Sequence, residues 1–295
     1  MAPANALAAF TLDDFESRSG SATSIIRTIA GLYLRHHDAP IARATVLELA
    51  VAASVSQPAA QTALSRLVDR GLLGTSGDGA IHVTSPAQAM FARGNRRIFT
   101  PRQMSAHDGW TLLTYSVPES LRPLRHQLRK HFGQLGGGQV SAGVWIFPEY
   151  LHDEVSAVVQ ALQARNHVTV FRAHTPDFPG SARTAAEQWW DLERLSRRHE
   201  DFLQTVSTVD QDRELTDALA YRHYVRLIDA WRAIPYLDPG LPAYMLPGTW
   251  PGSTSRERFL KLSRRFAHSA DDYARGLIIQ TSEGSRVSHT GSSAP

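Results

Sequence analysis

Ser54-Val-Ser-Gln-Pro-Ala-Ala-Gln-Thr-Ala-Leu-Ser-Arg-Leu-Val-Asp-Arg-Gly-Leu-Leu73 reads as a short turn feeding a helix that stops at a glycine. Ser56 is a suitable N-cap, and Pro58 falls in the first turn, where its missing N–H costs nothing. Ala60, Ala63, Leu64, Leu67 and Val68 recur at i, i+3, i+4, i+7 and i+8, which predicts one buried face. The other face carries Thr62, Ser65 and Asp69, flanked by Gln61 and Arg66. These are short polar groups and one fork-shaped cation, suited to base edges and phosphates. Upstream, Thr45–Ala53 reads as a compact apolar helix; downstream, Leu72–Val83 passes through Gly74, Gly77 and Gly79 like a hairpin. Helix, turn, second helix and wing predict a winged helix-turn-helix, a device for reading DNA.

The 295 residues suffice for two or three domains with their own cores, and 42% hydrophobic against 20% charged residues describes globular material. No apolar run reaches 18 residues, and no basic-then-apolar leader opens the chain, so a cytoplasmic protein without a membrane partner is expected. With no cysteine, disulfides, thiolate zinc sites and thiol nucleophiles are excluded. Net charge is +3 overall, but residues 23–101 alone carry +4, on the segment that would face phosphates. Only Lys130 and Lys261 among 31 basic residues are lysines, so an anion contact here is expected to be an arginine fork.

The expected fold class is α+β. Residues 1–22 are expected to be a flexible tail and 23–101 a winged helix-turn-helix domain that begins with an amphipathic helix at Ser24–Arg35. Residues 102–175 alternate as strand, helix, two strands, helix and strand, the βαββαβ order of a ferredoxin-like unit. A loop with Pro176, Pro179 and Gly180 leads to a helical C-terminal domain, 176–280, with helical segments at Ala182–Val206, Asp212–Trp231 and Ser255–Ile279. The last stretch, 281–295, is Ser/Gly-rich and expected to be disordered.

Several separated runs then coincide with one family. Ser24–Leu34, Gln61–Val68 with Gly71–Leu73, Asp108–Glu119, Ser141–Ile146, Asp238–Pro242, Leu246–Pro247 and Trp250–Gly252 resemble, in order and spacing, the PaaX family of phenylacetate-pathway transcriptional repressors. The resemblance covers about residues 24–275. It implies a homodimer that binds double-stranded operator DNA near aromatic-acid catabolic genes. It also implies release by an aryl-acyl-CoA thioester such as phenylacetyl-CoA, with no cofactor and no enzymatic activity. Two departures stand out. Gln61 occupies a recognition-helix position where the family commonly has Arg, and the wing Thr75–Ala80 contains Asp78 and no arginine. Less phosphate binding by the wing lowers the expected affinity and salt dependence.

For DNA, the candidate contacts are Arg27, Ser56, Gln57, Gln61, Thr62, Ser65, Arg66, Arg96 and Arg97. Arg27 could equally form an ion pair inside its domain, and Arg96 and Arg97, following Gly94-Asn95 at the domain junction, could occupy a solvated turn. For the effector, the aromatic candidates are Trp110, Tyr115 and Trp145, and the cationic ones Arg122, Arg125, Arg129, Arg222 and Arg226. A CoA thioester needs an apolar pocket for its acyl group and cations for its phosphates, although the aromatics equally suit core packing. No metal site is expected: His36-His-Asp38 are neighbours that cannot share one helix face, with no third ligand at suitable spacing. The alternative function is a metal-dependent nuclease, because the central domain also resembles small CRISPR-associated nuclease-like proteins. In those a carboxylate ends the first strand; here that place is Ser116, with Asp108 before the strand and Glu119 after it.

Overall fold

Ser21 opens the first helix, its hydroxyl accepting the Ser24 N–H at 3.3 Å, and the isoleucines at 25, 26 and 29 then face inward. The computed structural model describes residues 18–174, 176–178, 180–209 and 215–290, with side chains as far as 280. Most of the expected tails, 1–17 and 291–295, lie outside the described residues, as do Pro179 and the start of the helix expected at Asp212. The chain mixes helix and sheet, as the α+β reading expects. In chain order the first elements are α1 (Ala22–Leu32), α2 (Arg43–Ala52), α3 (Gln57–Asp69), β1 (Leu73–Thr75), β2 (Ile81–Val83) and α4 (Ser85–Phe99). There follow β3 (Trp110–Tyr115), α5 (Arg122–Gln134), β4 (Gly138–Ser141), β5 (Val144–Pro148), α6 (His152–Ala161) and β6 (Val168–Ala173). The last are α7 (Ala182–Trp189), α8 (Leu192–Thr205), α9 (Asp217–Trp231), α10 (Ile234–Leu237) and α11 (Gly252–Thr290).

The chain forms two compact units. One comprises the described residues of Asp14–Arg93, Thr205–Trp231 and Glu257–Pro295. Within it Ala60, Leu64 and Leu67 of α3 are buried, as are Ile25 and Ile29 of α1 and Val46 and Leu49 of α2. Helices α2 and α3 end in the same device. Val55 N–H reaches Ala50 O at 3.0 Å and Ser54 N–H reaches Val51 O; Leu72 N–H reaches Leu67 O at 3.0 Å and Gly71 N–H reaches Val68 O. Both are left-handed caps, with φ +72° at Gly71 and +66° at Ser54, where a side chain must tolerate it. β1 and β2 pair antiparallel in the register Leu73↔Val83, and Ile41 bridges to Ile81 on the far side of β2.

The other unit contains Gly94–Gln204 and Arg232–Arg256. Its four strands run in the order β4-β5-β3-β6, every neighbouring pair antiparallel. Alternation along the strands gives the sheet two buried faces. Leu113, Trp145 and Phe147 pack with Leu128 and Phe132 of α5 and Val155 of α6. Trp110 and Ile146, on the opposite face, pack with Ala186, Trp190 and Leu241.

Several boundaries differ from expectation. Gly94-Asn95 lies inside a helix rather than a turn, because α4 runs on to Phe99, and the boundary between the two units falls at Gly94 within that helix. The helix expected over 182–206 breaks at Trp190, whose backbone turns extended while its indole N–H donates to Gly136 O at 2.9 Å. Residues 18–22, expected in the flexible tail, include the cap and start of α1. At the other end α11 carries helical backbone to Thr290, into the stretch expected to be disordered. The helices expected to form one C-terminal domain are shared out: α7 and α10 belong with the sheet, α9 and most of α11 with α1–α3. Among the described residues no helix is long and apolar enough to cross a membrane.

Candidate functional site

Helix α3 presents Gln57, Gln61, Thr62, Ser65 and Arg66 to solvent while its opposite face is buried. Ser56 sits at the N-cap with extended backbone, but its hydroxyl makes no capping bond and stays exposed. Thr62 donates its hydroxyl proton back to Pro58 O at 3.0 Å, so only its oxygen lone pairs face outward. Arg66 has no hydrogen-bond or ion-pair partner among the described residues. A rigid helix thus holds acceptors, amides and a free fork on one exposed face. At the wing, the Asp78 carboxylate accepts from the Ser76 hydroxyl at 2.6 Å and from Ala80 N–H at 3.1 Å. Those two bonds hold its carboxyl below the usual carboxylate range. The wing tip therefore carries a fixed negative charge.

Two of the arginines expected at DNA are placed otherwise. Arg27 is 7% exposed, and its guanidinium lies 3.1 Å from the Met90 sulfur, which removes it from any duplex-facing surface. Arg97 is buried as well. It pairs with Glu154 at 2.9 Å, reaches the carbonyls of Leu135, Pro235 and Tyr236 at 3.3–3.4 Å, and stacks 5.2 Å from the Tyr236 ring. Arg96 is exposed, but on α4 beyond Gly94 it belongs with the sheet-containing unit. One cation missing from the expected set is Arg43. It is exposed in the first turn of α2, an end where the helix dipole disfavours positive charge.

The effector candidates divide. Tyr115, Arg125 and Arg129 come together around a pocket of about 280 Å³, with Ser116, Gln139 and Gly143 also in its wall. Gly143, at φ +85°, is required there because a Cβ would stand 2.8 Å from the Tyr115 carbonyl. Arg122 is exposed on α5 outside that wall. Trp110 and Trp145 are core residues on opposite faces of the sheet, in line with the packing reading of the aromatics. Arg222 and Arg226 belong to the other unit, where their Nε–H groups lie 3.3 Å from the Ala52 and Ala53 carbonyls. They satisfy free carbonyls at the end of α2, while Tyr221 O–H adds a second donor, at 2.9 Å, to Leu49 O, which also accepts Ala53 N–H.

Sequence reasoning missed Asp229, which is 2% exposed on α9. Its Oδ2 accepts from Ser19 O–H at 3.0 Å and Gly20 N–H at 2.6 Å; its Oδ1 accepts from the hydroxyls of Ser24 and Thr28. The partners lie some 200 residues away, so no local pattern announces them.

Two clusters invite a catalytic reading and do not sustain it. His199 Nδ1 lies 2.6 Å from Ser255 Oγ and its Nε2 lies 3.0 Å from Asp238 Oδ2. A hydrolytic triad uses the opposite nitrogens, and Ser255 is fully buried and directed at Gly252 O at 3.0 Å. This is a structural clasp. Of the carboxylates flanking β3, Asp108 accepts the Ser105 N–H at 2.9 Å and Glu119 pairs with Arg125 at 2.5 Å. Among the described residues no group of three His, Asp or Glu could hold a metal, and His36 accepts from Arg35 Nε at 3.0 Å.

Comparison with known proteins matches three family models to consecutive stretches: "PaaX-like protein" over residues 21–83, "PaaX protein central Cas2-like domain" over 103–185 and "PaaX-like protein C-terminal domain" over 190–276. The transcriptional repressor PaaX of Escherichia coli K12 is 24% identical over 261 residues, 85% of this chain and 82% of that protein. In structure, the uncharacterized protein Rv0674 of Mycobacterium tuberculosis superposes with a TM-score of 0.54 at 21% identity, over 86% of this chain and 99% of the other. Three models of one family, met along nearly the whole described length, leave a single assignment: the chain belongs to the PaaX family.

Proposed function

We propose that this protein is a transcriptional repressor that binds operator DNA as a homodimer and is released by an aryl-acyl-CoA thioester. The observation that carries the reading is the exposed polar face of α3, with Arg66 unpartnered on it. The order α1-α2-α3 followed by the β1–β2 hairpin supports a winged helix-turn-helix with α3 as recognition helix. The strand order of the four-stranded sheet supports a ferredoxin-like central unit. Regulation of a phenylacetate-like catabolic operon is supported by the similarity to the E. coli repressor. The nuclease alternative lacks support, since Ser116 offers no carboxylate and the flanking acids are engaged elsewhere.

The test is a gel shift on the neighbouring promoter duplex, titrated with phenylacetyl-CoA, CoA and free phenylacetate. Specific retention, lost with the thioester more than with CoA or the acid, is expected. A coupling of about 1–3 kcal/mol changes operator affinity roughly 5- to 150-fold, and DNA must weaken thioester binding by the same factor. Equal affinity for operator and scrambled duplex at physiological salt would sink the reading.

A further inference from the structure

The pocket at the end of β3 has an unusual inventory of unused groups. Arg129, the Tyr115 phenol and the Ser116 hydroxyl have no hydrogen-bond or ion-pair partner among the described residues. Arg125 lies one helical turn before Arg129 on α5, so both guanidinium groups reach the same wall, and only Arg125 is tied, to the exposed Glu119. Gln139 spends one amide hydrogen on Ser141 O at 3.4 Å and keeps its carbonyl. Convergent polar groups left unsatisfied around one cavity are the signature of a binding site. Two arginine forks, a hydroxyl and a phenol set its sign: the site takes an anion, and a planar fork best fits the oxygens of a phosphate or carboxylate.

We infer that this pocket binds the phosphate end of the small-molecule effector. That ligand identity rests on the acyl-CoA reading above, whereas the anion preference does not. The cavity, at about 280 Å³, falls just below the range of roughly 300–1,000 Å³ typical for drug-sized ligands. It therefore accommodates a phosphate-bearing end and leaves the rest of a CoA thioester outside. Position adds to the case. Ser116 directly follows the last residue of β3 and lies in the pocket wall. With Ser116 beside two arginines, the same strand end attracts a phosphate directly and needs no metal between.

Calorimetric titration of the full chain decides it, with phenylacetyl-CoA and inorganic pyrophosphate as probes. Arg129→Gln removes the free fork, and Ser116→Asp sets a negative charge against the anion; thermal melting checks that both variants fold. The expected result is a loss of at least about tenfold in phenylacetyl-CoA affinity for each variant, with pyrophosphate competing against the thioester in the unaltered protein. Unchanged thioester affinity in both folded variants overturns the inference and leaves the effector reading standing. If the unaltered protein binds pyrophosphate but no thioester, and the variants lose it, the effector reading fails and the anion site stands. Binding of neither probe overturns both.

Discussion

Arg66 stands exposed and unpartnered on α3, whereas Arg97 is 9% exposed and held by Glu154 and three carbonyls. Arg66→Ala should therefore weaken operator binding, and if the fork meets a phosphate, the slope of log affinity against log salt should drop by about one. Gel shifts across a salt series measure this; an unchanged affinity and slope would remove Arg66 from the interface. Asp78 gives a second expectation. Donation from the Ser76 hydroxyl, then from Ala80 N–H, lowers its carboxyl pKa below 3.8, so these bonds favour the wing turn above that value. They are lost as pH falls through the depressed pKa, because only the ionised carboxylate is the preferred acceptor. The Ala80 amide shift in NMR should accordingly titrate with a midpoint below 3.8; a midpoint at or above it refutes the assignment. The exposed polar face of α3 was legible in sequence because a 3.6-residue period fixes which side chains share a face. The burial of Arg27 and Arg97 was not, because an arginine goes inside only where remote chain supplies its acceptors, and no local period records those.

At the scale of elements, the turn between α2 and α3 determines how the exposed polar face of α3 is presented. Its pivot, Ser54, holds φ +66° in a position where Gly71, at the end of α3, has no Cβ to strain. A left-handed non-glycine residue costs about 1–2 kcal/mol, partly returned by the lower unfolded-state entropy of serine. Ser54→Gly should thus stabilise the protein by about 0.5–1 kcal/mol, with both cap hydrogen bonds kept. Urea unfolding measures it, and a lower midpoint with unchanged slope would show that the serine side chain contributes a contact that outweighs the strain. Element existence followed well from periodicity and capping residues, as in α3, β3 and β5. Element ends followed less well. Gly94-Asn95 suggested a solvated turn before Arg96 and Arg97, yet α4 continues to Phe99, and Arg97 on its far end finds its acceptors in Glu154 and the carbonyls of Leu135, Pro235 and Tyr236.

For the whole molecule, α1–α3 and the β1–β2 hairpin are not a self-contained N-terminal piece. α9, beginning some 150 residues after α3, supplies the Asp229 carboxylate to Ser19, Gly20, Ser24 and Thr28, and Tyr221 to the end of α2. α11 adds Phe259, stacked on Trp231 at 4.7 Å, and Tyr273, 5.1 Å from Tyr221. The sequence reading could divide the chain only by composition and proline-rich loops, which mark where elements stop and say nothing of which distant elements they pack against. A fragment of residues 18–101 keeps α1–α4 and the β1–β2 hairpin but leaves the end of α2 and the start of α1 without these partners. Each buried polar group so orphaned costs about 1–3 kcal/mol. Against a typical domain stability of about 5–15 kcal/mol, losing several at once removes most of it. The fragment should show helical circular dichroism well below that expected from α1–α4 and no cooperative melt, and should fail to retain operator DNA. The full-length Asp229→Ala variant separates this cause from simple loss of chain, and should melt below the unaltered protein. A fragment that melts cooperatively at the temperature of the full chain would overturn the view that this unit is built from both ends of the sequence.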